Sequence, residues 1–517
     1  MSLSCAIYTL GCKVNSYESS KLAQELQQAG FNLVPWEEPA DIYIIHGCAV
    51  TNQAEVKTRQ VARGVKREHP ESFLLLLGCI VDADPEIGSK VQAELQIANA
   101  HKEEAVSLLI ANLSGLGERL TPPASPCDNL PAATPSRPLV KIQDGCNNHC
   151  SYCLIPRLRG RERSRSLEEI MTEVIWCRDK GYQELVLTGI HLARWGQDWS
   201  TQHELPPHAL VRGDPGSCRH GLFPLTGTTF QSHSSQASTL IDGGYPPPNP
   251  RRISGACPEM LTEAPLLRHG SRGGVEAQFT PSPGEHSSQA STLPDLLAAL
   301  LALPNLPRLR LSSVELPEVS LRLIELMAHN SQLCAHLHLP LQSGCDATLR
   351  RMERRYDTES YREKVALLRH YLPGLALTTD IIVGFPGEDE KEFQQTMDFC
   401  REMAFSRLHV FRYSRRPHTL AATMPQQVAR QVAQRRSRDL IELGEEMAAA
   451  YAATFVGKKV WAVLEQKREG EPLAEGYSEH YLSCSLPYPD PLPATGLLQQ
   501  LLVTASRGPK LMCQLLP

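Results

Sequence analysis

Between Leu139 and Phe411 the chain repeats one phrase: a short apolar stretch, a turn, then an amphipathic helical pattern. The apolar stretches at Leu139–Gln143, Glu184–Thr188, Arg308–Ser312, His336–Pro340, Ala376–Val383 and Arg407–Phe411 are expected strands. Helical patterns at Leu167–Lys180, Val319–His329, Thr358–Tyr371 and Glu390–Met403 separate most of them. Strands joined by helices of this length pair in parallel, because the crossover returns the chain to the same end of the sheet. Few architectures satisfy this, chiefly an incomplete parallel barrel or a large open sheet.

The same alternation opens the chain. Ser4–Thr9, Asp41–Ile45 and Phe73–Leu77 have strand character, and Ser16–Ala29 and Gln53–His69 have helical character. Thr121–Pro138 is rich in Pro, Ala and Ser without periodicity and is expected to be a linker. After a long helical stretch, Gln426–Tyr451, the pattern changes at Phe455 to short alternating strands, as in a small β-barrel. The expected fold class is therefore α/β in three parts. These are an N-terminal open α/β domain (1–120), a partial parallel β/α barrel (139–425) and, past a connecting helix (426–454), a small C-terminal β-barrel (455–517).

The barrel phrase is interrupted between Trp199 and Thr292. These 94 residues hold 12 of the 39 prolines and 11 of the 34 glycines, too many for a packed core, so the segment is expected to be a disordered or loosely attached insert. The octapeptide HSSQASTL occurs in it at His233–Leu240 and again at His286–Leu293, the mark of a duplication or insertion in the sequence. Cys218 and Cys257 lie in it without ligand spacing.

The formal net charge of −5 confines any nucleic-acid surface to a local basic patch. The longest apolar runs, such as Phe73–Leu77 and Leu296–Leu303, fall far short of the ~18 residues a membrane helix needs. The first residues lack the pattern of a secretory signal, so a cytoplasmic protein without membrane attachment is expected. In that reducing compartment the 16 cysteines are better candidates for metal binding or catalysis than for disulfides. Cys12, Cys48 and Cys79 each follow a strand and adjoin a glycine, Gly11, Gly47 and Gly78. Ligands bind at the carboxyl ends of strands in such sheets. The residues alone leave open whether the three thiols share one metal cluster or are unrelated buried side chains.

Cys146-x3-Cys150-x2-Cys153 is the sharper signal. Three thiolates within eight residues can wrap one corner of a [4Fe–4S] cluster, whereas cluster proteins usually supply four thiolates. A missing fourth leaves an iron with an open position for a reacting ligand. Zinc, the rival metal, usually shows two paired Cys/His clusters, and His149 is a weak fourth ligand.

Placed after the first strand of a barrel, this spacing resembles the radical S-adenosylmethionine superfamily. GCKVNSYES (Gly11–Ser19), GCAVTNQAEVKTRQ (Gly47–Gln60), LGCI (Leu77–Ile80), VLTGIHLARWG (Val186–Gly196), RLSSVE (Arg310–Glu315), HLPLQSGCD (His338–Asp346), TDIIVGFPGE (Thr379–Glu388) and HVFRYSRRP (His409–Pro417) narrow the resemblance to its methylthiotransferases. The GCKVN form most resembles the branch acting on N6-threonylcarbamoyladenosine, beside branches acting on isopentenyladenosine in tRNA or an aspartate of a ribosomal protein. The resemblance implies that Cys146, Cys150 and Cys153 hold a [4Fe–4S] cluster whose open iron chelates S-adenosylmethionine. It implies a second [4Fe–4S] cluster on Cys12, Cys48 and Cys79 that supplies or carries sulfur. It implies that radical chemistry places a methylthio group on adenine C2. The implied partners are a tRNA anticodon loop, an electron donor such as flavodoxin or ferredoxin, and a sulfur source. The C-terminal barrel resembles the TRAM-like RNA-binding domain of these enzymes. A chain that merely carried electrons would have no use for an open iron.

Gly189, Glu315, Gln342 and Gly384, at strand ends, are expected to contact S-adenosylmethionine. Arg157, Arg159, Arg161, Arg163 and Arg165 after the cysteine loop, with Arg412, Arg415 and Arg416 flanking the sixth strand, are expected to contact RNA phosphates. His46 and Gly47 depart from the Asn-Thr that commonly precedes the second cysteine in the family, so His46 either perturbs the second cluster or fills space.

Overall fold

Every strand of the N-terminal sheet runs parallel to its neighbours. In the computed structural model, which describes residues 3–113, 136–201, 292–465, 473–487 and 496–516, that sheet holds β1 (Ser4–Thr9), β2 (Asn32–Leu33), β3 (Ile42–His46), β4 (Phe73–Leu77) and β5 (Leu95–Ile97) in the order β2-β1-β3-β4-β5. Thr9 pairs with His46 and His46 with Leu77, so β1, β3 and β4 end level at one edge. The segments carrying Cys12, Cys48 and Cys79 leave from that edge. Helix Lys13–Gln28 begins directly after Cys12, three residues earlier than the sequence pattern suggests. Leu22 and Leu26 on one of its faces pack with Ile42, Ile44, Leu75 and Leu77.

The six expected barrel strands are present: β6 (Leu139–Asp144), β8 (Glu184–Gly189), β9 (Arg308–Leu311), β10 (His336–His338), β11 (Ala376–Val383) and β12 (Arg407–Arg412). An additional two-residue strand, β7 (Arg163–Ser164), pairs antiparallel with the outer edge of β6. The parallel order β6-β8-β9 continues into β10-β11-β12 through the bridges Leu309–Leu333 and Ser313–His338. The barrel is thus partial. Side chains alternate across its wall. Leu185, Leu187, Leu309, Leu311, Leu337 and Leu377 face the covering helices and form one large core with them. Glu184, Arg308, Arg310, His336 and Thr378 occupy the alternate positions, so the inner wall is polar.

The predicted linker lies outside the described residues up to residue 135, as does the insert from 202 to 291, with Cys218 and Cys257. On the far side of the insert, helix Leu293–Leu301 is started by local chemistry: Pro294 in its first turn and a reciprocal cap between Thr292 and Asp295.

Helix Arg430–Ala453 packs along β12 and leads into a closed five-stranded barrel, β13 (Lys459–Leu464), β14 (Leu473–Ser478), β15 (Ser483–Pro487), β16 (Leu498–Arg507) and β17 (Lys510–Leu515), ordered β13-β14-β15-β17-β16. Its core is the alternating set Val460, Ala462, Leu464, Cys484, Leu486, Leu501 and Val503. It docks on the amino-terminal end of the partial barrel. Arg310 donates to the Ser478 carbonyl at 2.8 Å and Arg308 to the Trp461 carbonyl at 2.7 Å, while Glu184 pairs with both guanidiniums. No helix among the described residues is long and apolar enough to cross a membrane.

Candidate active site

The cysteine loop leaves β6 at its carboxyl end. Gly145 takes a φ of +73°, and a Cβ there would lie 2.0 Å from the Arg161 carbonyl oxygen, so only glycine admits this start. The loop is then tied at both ends: Cys146 N–H donates to Gly160 O at 3.1 Å, and Ser151 N–H to Met352 O at 3.1 Å. The Asn148 amide donates to Cys146 Sγ at 3.4 Å and the Ile155 amide to Cys153 Sγ at 3.4 Å. Arg354 donates to Cys150 Sγ at 3.2 Å while paired with Glu315. All three thiols are half-buried. Burial raises the Cys150 thiol above its ordinary range against the pull of Arg354, and pushes Cys153 up to about 12.

Among the described residues one set of three His, Cys, Asp or Glu donors converges within 4.8 Å: Cys146, Glu162 and His191. Neither cysteine triad is that tight. Thiolates sharing one tetrahedral zinc would stand about 3.8 Å apart, given a Zn–S bond of about 2.3 Å. Thiols bound to three different irons of one cubane stand wider, so the donor set suits a cluster better than a single ion. Glu162 is also committed as scaffold, accepting from Arg194 at 3.1 Å and Asn147 at 3.3 Å. His191 Nδ1 lies 3.8 Å from Cys146 Sγ and 3.2 Å from Glu162, with its Nε2 3.5 Å from Glu318. Burial alone would lower this imidazole, but its contacts with Cys146, Glu162 and Glu318 push it up to about 11.

The second triad gathers at the level edge of β1, β3 and β4. A Cβ on Gly11 would touch Cys48 Sγ at 3.2 Å, which sets the Cys12 turn against Cys48. Cys48 and Cys79 are buried and Cys12 is exposed. Burial raises both buried thiols, Cys48 to about 11. The Asn99 amide donates to Cys79 Sγ at 3.5 Å and to the Leu158 carbonyl at 3.0 Å. Leu158 belongs to helix Ile155–Arg159, which starts two residues after Cys153, and Leu154 and Leu158 share a core with Cys79 and Ile80. One short helix thus spans from one triad to the other.

His46 fills space beneath this triad. Its ring is fully buried, 2.9 Å from Ser19 Oγ and 3.6 Å from Glu18, and burial lowers it to about 4, so it stays neutral. Gly47 is required, because a Cβ would meet Ile80 at 2.4 Å.

The four expected cofactor residues stand at or just past strand ends, and all four are engaged by protein. A Cβ on Gly189 would meet Gln143 O at 3.1 Å, and one on Gly384 would meet Ala433 Cβ at 2.6 Å. The close approach at Gly384 is therefore to helix Arg430–Ala453. Glu315 is occupied by Arg354 and supports Cys150 through it. Gln342 is buried with φ +66°, and its amide and carbonyl bond β11 at Asp380 and Ile382, each at 2.8 Å.

The arginine expectation is corrected in part. Arg157, Arg161, Arg163, Arg412 and Arg415 are exposed. Arg159 is buried, bonded to Asn15, Glu18 and Asp144, and Arg416 is buried against Asn52 and Glu55. Arg165 is half-buried on Glu173 at 2.6 Å. Residues two apart on a helix face opposite ways, so Arg157 turns outward and Arg159 inward. Sequence reasoning also missed Arg354, Asn99, His191 and Glu162, which contact cysteine sulfurs or their holders from distant parts of the chain. His191 and Asn15 did stand inside quoted motifs.

The comparisons agree with this architecture. Residues 4–98 match the family described as Uncharacterized protein family UPF0004, and residues 140–193 and 284–400 match the Radical SAM superfamily. The threonylcarbamoyladenosine tRNA methylthiotransferase MtaB of Bacillus subtilis is 30% identical over 92% of this chain and 89% of its own length. Its counterpart in Thermotoga maritima is 27% identical over 92% and 89%. The tRNA-2-methylthio-N(6)-dimethylallyladenosine synthase of Chloroflexus aurantiacus is 30% identical over 90% and 82%.

Proposed function

This chain belongs to the radical S-adenosylmethionine methylthiotransferase family, and from that premise we propose that it adds a methylthio group to C2 of N6-threonylcarbamoyladenosine in the anticodon loop of tRNA. The family implies a [4Fe–4S] cluster and S-adenosylmethionine. Cys146, Cys150 and Cys153 would hold that cluster, and Cys12, Cys48 and Cys79 a second one. Bound there, these groups supply the one-electron chemistry that a non-acidic C–H bond requires and that side chains cannot provide.

The protein's own part is positional. Arg354 fixes Cys150 and Asn99 fixes Cys79. His191, raised by Cys146 and by the carboxylates of Glu162 and Glu318, stands 3.8 Å from Cys146 Sγ. Exposed Arg157, Arg161, Arg163, Arg412 and Arg415 offer phosphate contacts beside the loop. An electron donor of the flavodoxin or ferredoxin class and a sulfur source would complete the turnover.

The observation that carries the reading is helix Ile155–Arg159, which starts two residues after Cys153 and packs Leu158 beside Cys79, and so supports reading the two thiol sets as one site. Relatives named for the two tRNA substrates are equally similar to this chain, so overall identity does not choose between them. The GCKVN segment favours the threonylcarbamoyl branch. The test is mass spectrometry of tRNA nucleosides from a deletion strain, with and without the restored gene. Loss and return of the 2-methylthio form of threonylcarbamoyladenosine is expected. Loss of the dimethylallyl form instead would overturn the substrate.

A further inference from the structure

Lys13 follows Cys12 directly, at the start of helix Lys13–Gln28. It is exposed, yet faces Arg310, Arg137 and Asp380 of the barrel interior, with its ammonium 5.9 Å from the centre of the Tyr481 ring. Among the described residues no carboxylate lies within ion-pair distance of it, and the acids nearby are committed. Asp380 lies 3.3 Å from His338, and Glu184 serves Arg308, Arg310 and, at 3.8 Å, Arg137. An accessible ammonium in a densely walled, cation-rich space is a ready partner for an anion.

We propose that Lys13 binds the carboxylate of the substituent on the substrate adenine, and thereby selects a threonylcarbamoyl group over an apolar one. The inference rests on the proposed function and names the residue that chooses between its two substrate classes. On an adenine ring C2 and C6 flank the same nitrogen. A base that presents C2 to sulfur held near Cys12 therefore presents its N6 substituent to the residue beside Cys12. The surrounding wall agrees with a polar guest. His336 and His338 both lie within 3.0 Å of Thr378 Oγ1, and the His338 and His409 rings are 5.7 Å apart. An apolar prenyl group would strip water from these groups and return no hydrogen bond.

The test uses the full-length reconstituted enzyme and anticodon stem-loop RNAs bearing either threonylcarbamoyladenosine or its methyl ester, which removes the charge and little else. Wild type is expected to favour the free acid about 10- to 100-fold in kcat/KM, the worth of a hydrogen bond between charged groups. In Lys13→Met that ratio should fall towards one, and Lys13→Arg should keep most of it. A Lys13→Met ratio equal to wild type overturns the proposal, and so does an equal collapse in Lys13→Arg. A rise in the KM for S-adenosylmethionine with the acid-to-ester ratio intact would assign the bound carboxylate to the cofactor and also overturn it. Wild-type enzyme that modifies neither RNA but does modify a dimethylallyl RNA would sink the proposed function itself.

Discussion

Arg159 holds the space between the two thiol sets. Its guanidinium donates to Asn15 at 2.5 Å, Glu18 at 3.2 Å and Asp144 at 3.0 Å, all away from bulk solvent. Lys102 and Lys141 complete the network on Glu18, at 2.5 and 3.0 Å. Removing one partner of a buried ion network leaves the others uncompensated, so Arg159→Met should cost about 3–5 kcal/mol in chemical denaturation. A loss below about 1 kcal/mol would show that the network is not needed. Acid gives a second reading. Burial pushes the Glu18 carboxyl up, but Arg159, Lys141 and Lys102 outweigh it and hold it at about 2. A depressed carboxyl stabilises the fold above its ordinary value near 4.3. That stability should fade as pH falls from about 4 towards 2, and Arg159→Met should flatten the decline. At the thiols proposed to bind iron the sign is opposite in origin. Cys48, Cys150 and Cys153 are raised, so iron must displace protons, and reconstitution should load more fully at pH 8.5 than at pH 6.5. Cys150→Ala should lower the iron content from about eight to about four per chain by ligand count. It should also end cleavage of S-adenosylmethionine. Full iron in that variant would refute its role as a ligand.

At the scale of elements, helix Ile155–Arg159 links the loops that carry the two proposed cluster sites. Its Leu158 sits in the core of the second triad while its start is two residues past Cys153. The two sets should still fail separately, because the N-terminal sheet and the partial barrel each supply their own loops. Cys48→Ala should lower iron by about four while S-adenosylmethionine is still cleaved, with no methylthio product. Normal product from that variant would remove the sulfur-carrying role. Most parallel strands of both sheets were legible because each is a short apolar run between helices with their own start signals, as in the reciprocal cap of Ser166 and Glu169 that starts Leu167–Asp179. Strands β2, β5 and β7 were not, since two or three residues carry too little periodicity and exist through pairing alone. Both cysteine sets could be marked as candidates from spacing and strand position. Their holders could not: Arg354 is 204 positions from Cys150 and Leu158 is 59 from Asn99, contacts that only the folded topology creates. The arginine run misled for a local reason. A spacing of two suggests a shared face in a strand, but the first of these arginines lie on a helix.

For the molecule as a whole, the main question is whether the barrel needs the chain between its second and third strands. The two flanks of that segment are anchored independently. Before it, Trp195 is buried with its indole N–H donating to Arg165 O at 2.8 Å, and Trp199 packs edge-on against it at 5.1 Å between ring centres. After it, Leu293, Leu296, Leu297 and Leu300 enter the same core as Trp195. The cap of helix Leu293–Leu301 is made by Thr292 and Asp295, so that helix needs nothing earlier to begin. Loop closure costs only about 0.6 kcal/mol for each doubling of length. A surface connection can therefore lengthen or shorten greatly without altering the sheet it joins. Every cysteine with a place at either candidate cluster lies outside residues 202–291. We therefore expect a chain in which residues 202–291 are replaced by a short Gly/Ser linker to keep its iron content, its thermal midpoint and its methylthiolation of tRNA. The opposing view is that strand-to-helix loops ring the active face of such barrels. Arg251 and Arg252 could then serve as an RNA-contacting arm, although the segment lacks the aromatic–basic alternation of single-strand binders. Iron analysis and tRNA binding separate the two. Full iron with weakened tRNA affinity would make the segment part of the substrate surface, and lost iron would make it part of the fold.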